Sequence, residues 1–128
     1  MVLTDKELNE YLISIGGLTN VFTGNKVTDS DFFQVSLGWN LIIKNLIQDL
    51  IRLGWNKEVI QVKEKFGGLR FYINEGTDEI HQRIGEAELE SMKTCEITGR
   101  HGKIRTDIGW YRTLCGEEYE RCLKIKKD

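Results

Sequence analysis

Three cysteines and one histidine in the last third of the chain are the side chains best suited to binding a metal. Cys95, His101, Cys115 and Cys122 offer the sulfur and nitrogen donors that Zn²⁺ prefers. If residues 115–122 form a helix, Cys122 lies roughly 10 Å beyond Cys115 along its axis, too far for one ion to bind both. We therefore expect no metal and interpret each cysteine as a small buried apolar residue.

The sequence offers no convincing set of catalytic side chains. The Gly67-Gly68 pair lacks the rest of a phosphate-binding loop and is better explained by the geometry of a hairpin turn. Glu86, Glu88 and Glu90 belong to a highly charged stretch, where solvated side chains are far commoner than an acid–base pair. The two histidines stand in no suggestive context. We expect neither an enzyme nor a bound cofactor.

A candidate binding face combines cations with aromatic rings. Such groups stack on bases and contact phosphates, they anchor protein interfaces, and their long stems also simply cover a sheet. All three interpretations stay open from the residues alone. The candidate partner-binding residues are Lys63, Lys65, Arg70 and Tyr72 on one face of a predicted hairpin, together with Trp110 and Arg112.

Length and composition are those of a small folded domain. The chain has 128 residues, of which 40% are hydrophobic and 30% charged. A formal net charge of −2 gives no reason to expect an anionic partner, although residues 95–128 carry eight basic and six acidic side chains. The first residues do not resemble a signal peptide, and no apolar stretch is long enough for a membrane span. Free thiols are typical of reducing compartments, so we expect a cytoplasmic protein with no membrane partner.

Hydrophobic spacing predicts the elements that position these residues. Thr4 and Glu7 form a capping box ahead of a first helix that stops at Gly16-Gly17. Apolar residues at three- and four-residue steps predict a central helix over residues 37–53, and alternation predicts strands over 58–66 and 69–73. On the first of these strands Ile60 and Val62 are expected to face inward.

A third helix is expected from Thr77 or Asp78 to about Lys93, and residues 18–36 are unassigned apart from a possible turn at Gly24-Asn25 between two short extended pieces. Its inward side is predicted to be Ile80, Ile84, Ala87 and Ser91.

Six segments of the chain carry a resemblance to other proteins. They are Gln61 to Tyr72, Gly38-Trp39, Ala87-Glu88, Thr94 to Gly99, Gly109-Trp110 and Thr113 to Cys115. Over roughly residues 37–118 the chain resembles a group of small bacterial and phage proteins that lack an assigned function. In that group the tail is a zinc ribbon or treble clef with paired ligands, and here Cys95 and Cys115 retain two places while Thr98 and Glu118 occupy the others. If a metal is bound, the resemblance implies that Cys95 and Cys115 hold it, with His101 or Cys122 as a further ligand.

These observations together predict an α+β fold in which helices pack on a β-hairpin. Residues 1–94 form the α+β body, and residues 95–128 form a degenerate zinc-ribbon or treble-clef-like module packed on it as one compact unit. In place of the metal, the module is expected to be held by packing of its apolar residues against the body. Those residues are Ile97, Ile104, Ile108, Trp110, Tyr111 and Leu114.

The functional expectation follows from small size, absent catalytic groups and the resemblance. We expect a non-enzymatic protein-binding module that inhibits or neutralises another protein, in the manner of toxin-immunity or phage anti-defence proteins. The partner would be the toxin or defence protein. The alternative is a nucleic-acid-binding accessory protein derived from a zinc ribbon, against which the acidic pI of about 5.8 and the lost ligands count.

Overall fold

The computed structural model describes residues 2–127, with side chains to residue 125, and it is an α+β structure with a mixed sheet. The fold class predicted from the sequence is confirmed at this level. Short 3₁₀ turns span Ser30–Phe32 and Leu37–Trp39. In chain order the elements are α1 Asp5–Ser14, β1 Leu18–Asn20, β2 Lys26–Val27, α2 Asn40–Arg52, β3 Glu58–Lys65, β4 Gly68–Ile73, α3 Asp78–Ser91, β5 Lys103–Arg105, β6 Arg112–Leu114 and α4 Gly116–Lys127.

The helices begin and end for local reasons visible in the chain. The predicted capping box is present: the Glu7 amide donates to Thr4 Oγ1 at 3.1 Å, and Glu7 Oε1 accepts from the Thr4 amide at 3.1 Å. The predicted central helix starts as a 3₁₀ turn at Leu37 and continues as α2. It ends before Gly54, whose φ of 95° is a conformation that favours glycine.

The main sheet is larger than the predicted hairpin. Its strand order is β2-β1-β3-β4, with β1 parallel to β3 and the other neighbours antiparallel. Residues 18–27 contribute two strands: β2 coincides with Lys26-Val27, one of the two short extended pieces expected on either side of the Gly24-Asn25 turn, whereas the other strand is Leu18–Asn20 and not the expected Val21-Phe22. Gln34 also pairs with β3. Its amide donates to Val62 O at 2.9 Å, and its carbonyl accepts from the Glu64 amide at 3.2 Å.

A single large core lies between this sheet and the helices. The inward side predicted for α3 is confirmed, since Ile80, Ile84, Ala87 and Ser91 are all buried. The prediction for β3 is wrong at Ile60, which is only half-buried, because a bulge between Val59 and Gln61 shifts the alternation. Val59 takes the inward place beside Val62.

The C-terminal residues build a second, small core around the β5–β6 hairpin. Cys95, Ile108, Leu114 and Cys115 are its buried members, and Ile97 packs against them. Trp110 and Tyr111, which the sequence placed against the body, are exposed instead. They lie in the irregular segment between β5 and β6, so no strand directs them inward.

The two cores meet where residues 94–96 lie against the start of α2. The Gly38 amide donates to Glu96 O at 2.8 Å, and the indole N–H of Trp39 donates to Thr94 O at 2.8 Å. A Cβ at Gly38 would stand 2.5 Å from the Glu96 carbonyl carbon, and closer still to the carbonyl oxygen of Cys95. Gly38 is thus required by a close approach of two backbones.

A pair of glycine substitutions tests this contact. Gly38→Ala is expected to lower the free energy of unfolding by about 1–3 kcal/mol, because the new methyl group forces the two backbones apart. Gly85→Ala is the matched control: it lies within α3 with nothing within 4 Å of the new Cβ. There alanine is expected to stabilise by about 0.5–1 kcal/mol. Urea unfolding measures both, and a neutral Gly38→Ala would contradict the close approach.

Candidate functional site

The four predicted residues of the β3–β4 hairpin lie together on its outer face. Lys63 and Arg70 are directly opposite each other across the two strands, and Tyr72 pairs with Gln61. The Lys63 ammonium lies 5.9 Å from the centre of the Tyr72 ring, within range of a cation–π interaction. The Arg70 guanidinium turns back to donate to Leu69 O at 3.0 Å. This face therefore carries clustered cations beside an aromatic ring.

Lys65 leads into the tip of the hairpin, where Phe66 is the most prominent side chain. Phe66 is 65% exposed, and its φ of 53° places it in the left-handed region that few non-glycine residues adopt. The Lys65 ammonium lies 5.6 Å from the centre of its ring. The sequence had placed Phe66 at the end of a strand. The adjacent Gly67-Gly68 pair was the signal that it belongs to the turn.

Phe66, Trp110 and Tyr111 are three exposed aromatic residues that are called the aromatic patch below. The rings of Phe66 and Tyr111 meet edge to face with centres 6.1 Å apart, and Trp110 directly precedes Tyr111 in the chain. Trp110 is 63% and Tyr111 48% exposed. The patch joins the hairpin tip to the C-terminal module.

The hairpin tip is fixed to the C-terminal module by backbone contacts. Thr113 is fully buried, and its hydroxyl donates to Gly67 O at 2.6 Å. A Cβ at Gly67 would stand 3.4 Å from the Arg112 amide nitrogen, so the two segments are in contact. These two contacts therefore fix the hairpin tip, which carries Phe66, against the segment that follows Tyr111.

Beside Trp110 runs a mainly apolar groove of about 410 Å³. It opens between α4 and the segment that precedes β6. A groove of this size next to exposed aromatic rings suits an apolar side chain of a binding partner. Its lining residues are Ile108, Gly109, Trp110, Arg112, Cys122 and Ile125.

Arg112 is committed to an internal ion pair. Its Nε and Nη2 lie 2.7 and 2.6 Å from Oε1 of Glu96, and the two side chains are only 20% and 8% exposed. Burial raises the pKa of Glu96 above its ordinary value, against the opposing hydrogen bonds and charge of Arg112. We therefore assign Arg112 a structural role in the C-terminal module.

The four candidate zinc ligands named from the sequence, Cys95, His101, Cys115 and Cys122, do not converge on one point. Thr98 Oγ1 donates to Cys115 Sγ at 3.6 Å, and Cys95 is buried in the same small core. Cys122 lies apart, with Arg112 Nη1 at 3.8 Å from its sulfur, and the side chain of His101 is exposed. Across residues 2–127, no three histidine, cysteine or acidic side chains gather as a metal would require.

Glu118, at the position of the fourth zinc ligand in the resembling group, pairs with Arg121 at 3.2 Å. The donor set therefore does not suit zinc.

The thiol of Cys115 is set apart by its place ahead of α4. Burial raises the pKa of Cys115, but hydrogen bonds from the Glu118 amide, the Thr98 hydroxyl, the Cys95 thiol and the Glu117 amide together lower it below its ordinary value. This is the usual effect of a helix N-terminus on a thiolate.

Comparisons with protein-family models, with curated proteins and with solved structures found no match to this chain. Over the part of the chain that the structure describes, none of the helices has the length and apolar character that crossing a bilayer requires.

The internal ion pair leads to a stability prediction. Arg112→Ala is expected to lower the free energy of unfolding by about 3 kcal/mol, because it leaves a buried carboxylate without its cation. Arg100→Ala is the control: its pair with Glu117 is 73% and 70% exposed and spans 3.3 Å. Removing that pair is expected to cost less than about 1 kcal/mol. Equal losses in urea unfolding would contradict the structural role of Arg112.

The metal-free interpretation is tested by elemental analysis of the dialysed protein. The expected result is far less than one zinc per chain, with an unfolding midpoint that a chelator does not shift. Zinc at one equivalent per chain after dialysis, lost together with stability on chelation, would overturn it.

Proposed function

We propose that this chain is a non-enzymatic protein-binding module that inhibits or neutralises its partner, as toxin-immunity and phage anti-defence proteins do. The observation that carries the proposal is the aromatic patch. Its three large rings are exposed: Phe66 and Tyr111 are in contact with each other, and Trp110 also lines an apolar groove. Aromatic anchors beside a pocket are the features that dominate protein–protein affinity.

Charge pairing favours a protein over a nucleic acid. The C-terminal arginines are largely neutralised, since Arg100, Arg112 and Arg121 each pair with a glutamate. A nucleic-acid site needs free cations that follow the phosphates. The cation–aromatic pairs formed by Lys63 and Lys65 favour the nucleic-acid alternative, but they are few.

We further propose that residues 95–128 are a zinc-ribbon-like module that has lost its metal. Support comes from the tight turn in which the Gly99 amide donates to Cys95 O at 2.9 Å, from the β5–β6 hairpin, and from the helix that starts after Cys115. These are the parts of a ribbon. Burial of Leu114 and the Glu96–Arg112 ion pair take over the stabilising role that a metal has in such small modules.

The proposed setting is the cytoplasm. Cys95, Cys115 and Cys122 are all free thiols, which is the state that a reducing compartment maintains.

The proposal is tested by capturing the partner with the tagged chain from its host and titrating the purified pair. Trp110→Ala and Phe66→Ala are each expected to weaken binding about tenfold or more, because both remove anchor rings. Phe22→Ala is the matched control, since this exposed ring lies in the loop between β1 and β2, outside the aromatic patch. It is expected to leave the affinity unchanged.

One result would contradict the proposal, and a second would narrow the proposed contact surface. The absence of a stable protein partner, combined with salt-sensitive binding to DNA or RNA, would favour the nucleic-acid alternative. A complex that tolerates Lys63→Glu and Arg70→Glu without loss would remove the outer hairpin face from the contact surface and leave the aromatic patch alone.

A further inference from the structure

Two of the three cysteines belong to the same small C-terminal core. Cys95 and Cys115 are both members of its buried cluster. Cys122 is a partly buried neighbour whose sulfur contacts Arg112. The chain therefore contains a thiol pair and a separate third thiol.

Backbone geometry independently places the two cysteines side by side. The Glu96 amide donates to Thr113 O at 3.0 Å. The segment just after Cys95 therefore runs next to the segment just before Cys115. A Cβ at Gly102 would lie 3.0 Å from Cys95 N and 2.9 Å from Leu114 C, the atom bonded to the amide nitrogen of Cys115. The backbones that lead to Cys95 and Cys115 thus pack against the same glycine, which brings the two residues into neighbouring positions.

The two sulfurs differ in surroundings and in access. Cys115 immediately precedes α4, where it accepts from the Thr98 hydroxyl and from backbone amides of the first helical turn. It keeps 7% of its surface exposed, whereas Cys95 is fully buried. Of the two cysteines, only Cys115 keeps any surface in contact with solvent.

We propose that Cys95 and Cys115 form a reversible intramolecular disulfide when the protein meets a hydroperoxide. The Cys115 thiolate attacks the peroxide O–O bond; the sulfur gains one oxygen as a sulfenic acid, and the other oxygen leaves as an alcohol or water. The Cys95 sulfur then attacks the Cys115 sulfur, the S–O bond breaks, and the oxygen departs as water. Two thiols are oxidised and one peroxide is reduced; a small dithiol reverses the reaction.

The bond would close a loop that contains two of the three residues of the aromatic patch. Trp110 and Tyr111 lie between the two cysteines in the chain, together with β5 and β6. A crosslink here constrains the unfolded chain and stabilises the C-terminal module. Formation of this disulfide does not depend on which partner the chain binds.

The experiment treats the reduced full-length chain with hydrogen peroxide under native conditions, blocks the remaining thiols by alkylation, and maps the peptides by mass spectrometry. The expected product has lost the mass of two hydrogen atoms, links the Cys95 and Cys115 peptides, and carries an alkylated Cys122. A reducing dithiol is expected to restore all three thiols. Cys122→Ser is the control, and it is expected to give the same disulfide at the same rate.

Any of three results would overturn the proposal. These are oxidation of Cys115 to a sulfinic acid without a crosslink, a disulfide that includes Cys122, or a crosslink that joins two chains. A Cys95–Cys115 bond that forms only in urea would equally overturn it, because the native geometry would then have no part in the reaction.

Discussion

The close approach of residues 94–96 to the start of α2 is the contact on which both halves of the chain depend. Trp39 is fully buried in the main core, yet its indole N–H reaches out to the Thr94 carbonyl. Gly38 lets the backbone at Glu96 approach without a side chain between them. Two backbone-directed hydrogen bonds and the absence of one methyl group therefore join the large core to the small one.

A second joint follows from the first. With residues 94–96 fixed, the Glu96 amide pairs with Thr113, and Thr113 in turn donates its hydroxyl to Gly67 at the hairpin tip. This chain of contacts orients the tip, so Phe66 is held next to Tyr111 in spite of its uncommon backbone conformation. Strain of about 1–3 kcal/mol at such a residue persists only when the surroundings impose it.

Local patterns predicted the helices, the β3–β4 hairpin and the inward side of α3, because helical periodicity and capping are short-range properties. Strand β1 escaped prediction since it pairs in parallel with a strand some forty residues away along the chain, as the register Thr19 with Glu58 shows. The bulge at Ile60 is likewise set by the partner strand. The ion pair between Arg112 and Glu96 depends on burial in the folded chain, which the order of charged residues in the sequence does not predict.

The exposure of Trp110 and Tyr111 distinguishes two possible roles of the C-terminal module, namely packing against the body and contact with another molecule. If Trp110 and Tyr111 had packed inward, as their apolar character first indicated, the role of the C-terminal module would have been to pack against the α+β body. Instead its small core is completed by Ile108 and Leu114, and its link to the body by backbone hydrogen bonds. The two rings are thus not needed for internal packing. An aromatic ring has few rotatable bonds and loses little conformational entropy when a partner covers it, which is the physical argument that supports the proposed contact surface.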